Sequence, residues 1–276
     1  MELSSKKELG NLLKKHGVRP SKKLGQNFLL GREAVGKVLG GVSLELEDIV
    51  LEIGPGAGVL TRELAKKAKR VVAVEKDRKM AEVLKESLGE YGNAEVVFSD
   101  ILKFSPGAFG LEDFNYKAVG NLPFYLTAPV IRKFLEGGIR PLQMILVVQK
   151  EVGERICASP PKMSILAVSV QVYAEAEVVD FLSKEAFWPS PEVDAAVIKI
   201  TPKRAADLPD NFFGIVKAGF SQPRKQLANN LSAGLEMGKA EAERRLRENG
   251  IQPAQRAETL SVENWLKLSK SFKMDK

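Results

Sequence analysis

Two short segments combine residue types and spacings that can do chemistry. The first is Glu52-Ile53-Gly54-Pro55-Gly56-Ala57-Gly58. Glycines at alternate positions let the backbone turn sharply and approach a ligand without interference from a Cβ. The N–H groups at the start of the following helix can donate hydrogen bonds to it. A GxGxxG spacing would suggest a dinucleotide pyrophosphate at that helix end; here the spacing is GxGxG, stiffened by Pro55. The second segment is Asn121-Leu122-Pro123-Phe124. An exocyclic adenine nitrogen is a poor nucleophile, because its lone pair is delocalised into the ring. It needs acceptors for its N–H bonds so that the nitrogen rehybridises as an electrophile arrives. Asn121 Oδ1 and the Leu122 carbonyl can supply them, while Pro123 lacks an N–H and fixes φ. Phe124 offers a flat face on which an extruded base can stack, worth roughly 1–3 kcal/mol. No strong general base is required, since in-line, largely dry alignment carries much of such a transfer.

These segments need a scaffold, and the chain contains one. Short apolar runs at Ile49–Ile53, Val71–Glu75, Glu95–Ser99, Lys117–Gly120 and Leu142–Val148 read as buried parallel strands. Amphipathic stretches such as Leu60–Lys67 and Asp77–Leu88 lie between them. The expected fold is a doubly wound α/β sheet that binds ligands at the carboxyl ends of its strands. Two further carboxylates arrive at that edge. Glu75, 21 positions after Gly54, can accept from both hydroxyls of a ribose, and Asp100 can accept from an adenine amino group beside the apolar face of Ile101. Either could equally cap a helix. Together with the loop they fall in the order of an S-adenosylmethionine site, with NAD as the alternative.

Composition removes other chemistries. A single cysteine, Cys157, excludes an intrachain disulfide and a Cys-cluster zinc site. The single histidine, His16, lies in a Lys-rich segment away from any plausible nucleophile and is expected to be a solvated surface residue. No metal is expected. Met1 to Gly17 is charged without an apolar run, and no stretch approaches the roughly 20 apolar residues of a membrane span. A soluble, cytoplasmic chain is the expectation.

The net charge of +7 is unevenly placed. Residues 1–24 hold seven Lys/Arg against two Glu, and residues 203–276 hold 14 against nine, so each end carries +5 around a middle of −3. Basic ends can serve solubility alone, or they can hold a polyanion through phosphate contacts. β-rich stretches are expected near Ile165–Tyr173 and Ala195–Ile200, separated by Phe187-Trp188-Pro189-Ser190-Pro191, whose prolines argue against regular structure there. Beyond Pro202 the periodicity is helical. The expected division is a cofactor-binding catalytic domain over 1–202, with 1–24 as a basic segment, and a small helical domain over 203–276.

Taken as a set of ordered blocks, the sequence resembles the KsgA (RsmA) family of small-subunit rRNA adenine dimethyltransferases. The blocks are Lys23–Leu29, Glu52–Thr61, Val74-Glu75, Ser99-Asp100-Ile101, Gly120–Phe124, Val148–Val152, Phe187–Asp194, Phe220–Lys225 with Asn229-Asn230-Leu231, and Arg256–Ser261. The resemblance implies a class I S-adenosylmethionine-dependent methyltransferase (Rossmann-like) domain followed by an all-helical one. It implies S-adenosyl-L-methionine contacts at Gln26, Asn27, Leu29, Gly54, Gly56, Glu75, Lys76, Asp100, Ile101 and Asn121, and a target amine surrounded by Asn121, Leu122, Pro123 and Phe124. The implied substrate is a pair of adjacent adenines in the 3′-terminal hairpin loop of small-subunit rRNA, each receiving two methyl groups. Lys22, Lys23, Arg224 and Lys225 are the expected RNA contacts, and a monomer is expected. The chain departs from the family pattern in three places. Position 124 is Phe where Tyr is usual, which keeps stacking and loses a hydroxyl; position 125 is Tyr; and Pro223 interrupts a run that is more often basic. A large-subunit adenine methyltransferase and a noncatalytic RNA-binding factor of the same fold remain the competing readings.

Overall fold

The computed structural model describes Leu3, residues 5–204 and residues 208–272. It separates into two compact units, Met1–Gly153 with Ala176–Pro202, and Glu154–Glu175 with Lys203–Lys276. The second unit thus takes in residues 154–175, which the sequence division at 202 leaves in the first.

The first unit opens with α1 (Lys6–Lys15), capped by Ser5, whose side chain accepts from Glu8 N–H. A 3₁₀ turn (Lys22–Leu24) leads to the two-residue strand β1 (Phe28–Leu29) and then to α2 (Arg32–Val42). Alternation follows: β2 (Ile49–Ile53), α3 (Val59–Ala65), β3 (Arg70–Glu75), α4 (Ala81–Leu88), β4 (Ala94–Phe98), β5 (Lys117–Asn121), α5 (Thr127–Glu136), β6 (Gln143–Gln149) and α6 (Lys150–Ile156). After α7 (Ile165–Gln171) come β7 (Ala174–Leu182), β8 (Phe187–Trp188) and β9 (Ala195–Pro202). The main sheet has the order β4-β3-β2-β5-β6-β9-β7. β4, β3, β2, β5 and β6 pair in parallel, and β9 runs antiparallel to β6. The chain therefore steps outward one way from β2 to β3 and β4, then returns to place β5 on the opposite side of β2. That reversal leaves a crevice at the carboxyl ends of β2 and β5, where ligands bind in such sheets.

The inner strands are apolar on both faces because helices cover both. Val50, Leu51, Val71, Val72, Ala73, Ala118, Val119, Ile145 and Leu146 are fully buried. Two polar staples fasten the opposite edge. Lys117 Nζ donates to Asp48 Oδ2 at 2.7 Å and to Ser43 O at 2.9 Å, and Gln143 Nε2 donates to Val42 O.

Three expectations are corrected. Ile165–Tyr173 is not β-rich: Ile165–Gln171 is a helix, because Ser164 Oγ accepts from Ala167 N–H and Ala167, Val168 and Val170 share a buried face. Phe187–Trp188 does form a short strand, antiparallel to Phe28–Leu29, before Pro189 ends it. His16 is half-buried rather than solvated, with Nε2 2.7 Å from Glu86 Oε2 on α4, which Lys15 Nζ also reaches at 2.8 Å.

The second unit is helical over its described residues beyond Pro202. It comprises α8 (Phe212–Gly219), α9 (Leu227–Gly234), α10 (Lys239–Glu248) and α11 (Val262–Ser271). Phe212, Val216, Leu227, Leu231, Leu246, Trp265 and Leu268 form its core with Ala167, Val168 and Val172. That packing explains why 154–175 belongs here.

Removing one member of a buried ion pair strands the other. Asp48→Ala is expected to cost about 3 kcal/mol in denaturant unfolding, and Lys117→Met in the same chain to restore most of it. Additive losses in the double variant would contradict this account.

Candidate active site

β2 delivers the glycine loop to the crevice. Gly54 N–H donates to Val74 O at 3.0 Å, and Gly54, Gly56 and Gly58 all take positive φ (73°, 56° and 85°). A Cβ on Gly56 would lie 2.9 Å from Phe28 Cε1, so this glycine is required by close approach as well as by conformation. A Cβ on Gly54 would meet nothing within 4 Å and would project into open space. β3 ends in Glu75, 6% exposed, whose Oε2 accepts from Gly56 N–H at 3.1 Å and Oε1 from Asp77 N–H at 2.7 Å. Burial pushes its pKa up, against the backbone donors that favour the ionised form. After β4, Asp100 accepts from Lys76 Nζ at 2.9 Å and from Leu102 N–H at 3.0 Å, and the lysine holds its carboxyl below the usual range.

Residues 21–29 cross this edge as a strap. Ser21 N–H donates to Gln26 Oε1 at 2.8 Å, and Gln26 Nε2 donates onward to Asp77 Oδ2 at 3.0 Å. Asn121 Nδ2 donates to Asn27 O at 2.8 Å, which commits the amide nitrogen and leaves Oδ1 to accept. Gly25 sits against Pro123, where a Cβ would come within 3.2 Å of the ring.

Strap, loop and strand ends enclose a cavity of about 910 Å3 measured out to its open mouth. Gln26, Asn27, Leu29, Gly54, Gly56, Glu75, Lys76, Asp100, Ile101 and Asn121 all line it. A smaller cleft adjoins it, lined by Leu122, Phe124, Val147, Phe187, Pro191 and Ala195 and sharing Gly25, Asn27 and Asn121. Leu122 is buried, with its N–H donating to Val147 O at 3.2 Å, while Phe124 is 38% exposed at the start of a 3₁₀ turn. Pro123 lines the larger cavity instead. Lys22 and Lys23 lie exposed in the 3₁₀ turn before the strap, and in the second unit Arg224 and Lys225 lie exposed between α8 and α9.

Several lining residues carry no assignment from sequence. Phe187 and Pro191 come from the Phe-Trp-Pro-Ser-Pro block and could have been drawn from it. Val147 and Ala195 become neighbours through the β6–β9 pairing, where Val147 faces Val197 and Gln149 faces Ala195. Glu52 is the most unusual. It is 1% exposed, Oε2 has no hydrogen bond, and burial, reinforced by nearby Glu75, raises its pKa to about 8. A buried carboxyl with one unpartnered oxygen on the cavity wall, beside a bare-backbone loop with room at Gly54, fits a ligand that carries hydrogen-bonding groups. Among the described residues no cluster of His, Cys, Asp and Glu could hold a metal ion, and no helix is long and apolar enough to cross a membrane.

A sheet in this order with a glycine loop at its reversal is the Rossmann-like methyltransferase fold. The crystal structure of the 23S rRNA methyltransferase ErmE matches it with a TM-score of 0.73 and 26% identity, covering 90% of this chain and all of that one. A dimethyladenosine transferase from Plasmodium falciparum matches with a TM-score of 0.74 and 25% identity, covering 87% and 95%. Similarity in sequence is greater to proteins named ribosomal RNA small subunit methyltransferase A. The one from Dehalococcoides mccartyi is 41% identical over 92% of this chain and 89% of its own length, and that from Bacillus thuringiensis is 37% identical over 96% of each. The family model for ribosomal RNA adenine dimethylases matches residues 18–274, and the chain belongs to that family.

Two outcomes test the cavity. Gly56→Ala combines positive φ with a Cβ against Phe28; it should destabilise the fold by about 1–2 kcal/mol and weaken S-adenosylmethionine binding by calorimetry about tenfold or more. Glu52 holds its proton to about pH 8 when folded but releases it near 4.5 when unfolded. The unliganded protein should therefore lose stability as pH rises through that window and level off above it. Glu52→Gln should flatten this slope in thermal unfolding, and an unaltered slope would refute the assignment.

Proposed function

We propose that this chain transfers methyl groups from S-adenosylmethionine to the N6 amines of two adjacent adenines in the 3′-terminal hairpin loop of small-subunit rRNA. N6,N6-dimethyladenosines would result, during ribosome biogenesis. The observation that carries the reading is the place of Asn121, at the seam of the two clefts with its amide nitrogen tied to Asn27 O. The cofactor supplies an electrophilic methyl on a sulfonium. Glu75 is positioned to take ribose hydroxyls, Asp100 and Ile101 the adenine edge, and Glu52 the cationic end. In the smaller cleft, Asn121 Oδ1 and the Leu122 carbonyl accept from the target amine and orient its lone pair. Phe124 and Phe187 give the base apolar surface, and the buried lining excludes water. The amine's surplus proton is lost after transfer, so no strong base is needed beside it.

The small-subunit address is supported by the names of relatives at 37–41% identity, against 26% for the 23S enzyme. Catalysis is assigned to the first unit and RNA contact to the second, with Lys22 and Lys23 adding cations from the first. A cytoplasmic monomer suits an enzyme that docks on an assembling subunit.

Tritiated S-adenosylmethionine offered with unmethylated small subunits, large subunits and DNA should label small subunits; label in large subunits alone would sink the proposal. Asn121→Ala should lower methyl transfer by about a hundredfold or more, by analogy with loss of one preorganised polar group, while keeping RNA affinity. Full activity in that variant would favour a noncatalytic role for the turn.

A further inference from the structure

In the second unit, the turn that displays Arg224 and Lys225 is held by more than its own backbone. α8 and α9 approach closely through small residues: a Cβ on Gly234 would lie 2.7 Å from that of Ala218. Gly219, which ends α8, lies against Trp265, where a Cβ would come within 2.4 Å of Cη2. The chain therefore leaves α8 at a defined point. It then turns tightly, Lys225 N–H donating to Gln222 O at 3.0 Å across Pro223 and Arg224. Proline at the first central position presets φ for such a turn, and Arg224 does not take positive φ, as type I requires. From α9, the buried Asn230 reaches back and donates to Gly219 O at 2.7 Å and to Gln222 O at 2.9 Å. Two carbonyl acceptors determine the orientation of its amide, because only the NH2 can meet both.

The charges of this turn are also available to a polyanion, unlike those of the α10 arginines. Arg244, Arg245 and Arg247 on α10 are paired with Glu241, Glu248 and Glu243. Arg224 and Lys225 are exposed and make no ion pair among the described residues.

We infer that Asn230 and Pro223 are positioning residues for RNA binding: they hold Arg224 and Lys225 in a preset arrangement for two phosphates, with Pro223 exchanging a charge for stiffness. This rests on the reading that the turn touches rRNA. A preset turn loses less freedom on binding than a floppy one with the same charges.

The test measures affinity of the full chain for unmethylated small subunits across a salt series, with circular dichroism as the check on folding. Asn230→Asp keeps the shape but sets oxygen against two carbonyls; Pro223→Gly keeps every charge but loosens the turn. Each is expected to weaken binding about tenfold with the salt slope nearly unchanged. Arg224→Gln with Lys225→Gln should instead reduce the slope by about 1.5. If that double variant keeps affinity and slope, the turn does not touch RNA and the underlying reading fails. If it loses affinity while Asn230→Asp and Pro223→Gly stay within twofold, positioning is overturned. Should Asn230→Asp not fold, Pro223→Gly decides by the same threshold.

Discussion

β2 is hydrogen-bonded to β3 on one side and to β5 on the other, and the candidate positions at the strand ends follow from that arrangement. Parallel pairing brings strand ends to one edge, so Gly54, Glu75, Asp100 and Asn121 emerge together although they span 68 positions of sequence. The reversal at β2 keeps successive connections from crowding that edge and leaves a crevice there. Loop residues could not hold these positions by themselves. Their precision comes from β2, β3 and β5, most of whose side chains are buried, and from the Lys117–Asp48 and Gln143–Val42 staples that fasten the opposite end.

The crevice becomes a site when residues 21–29 cross it. The strap is fastened at three points of that edge by different means: Gln26 to Asp77 by a side-chain amide, Asn27 to Asn121 by its carbonyl, and Phe28 to Gly56 by ring contact. β1 then pairs with β8, which ties the strap to the segment carrying Phe187 and Pro191. The larger cavity and the smaller cleft are thus built against a shared structural member, and a change in the strap alters the lining of both.

Much of this was legible in the sequence, for identifiable reasons. Ile49–Ile53 emerges with the bounds expected, since Asp48 and Gly54 punctuate an unbroken apolar run. The helix expected over Asp77–Leu88 starts later, because Asp77 Oδ1 accepts from Lys79 N–H and caps a 3₁₀ turn first. Ile165–Gln171 misled because β-branched residues favour strands on average, whereas a Ser cap and one buried face decide locally. β7 went unread although Glu175, Glu177, Val179 and Phe181 alternate with less exposed residues along it, as in a strand with one face open. Within the site, residues that end strands could be ordered along one edge from sequence. The partners of the smaller cleft could not, since Val147, Phe187 and Ala195 meet only through antiparallel pairing and the strap. The formal charge of the tail also overstated its reach, as α10 neutralises its own arginines.

Gly25, Asn27 and Asn121 are common to the linings of both clefts. No substitution at one of the three can therefore be confined to a single cleft: whatever it does to the shape of one lining it does to the other as well.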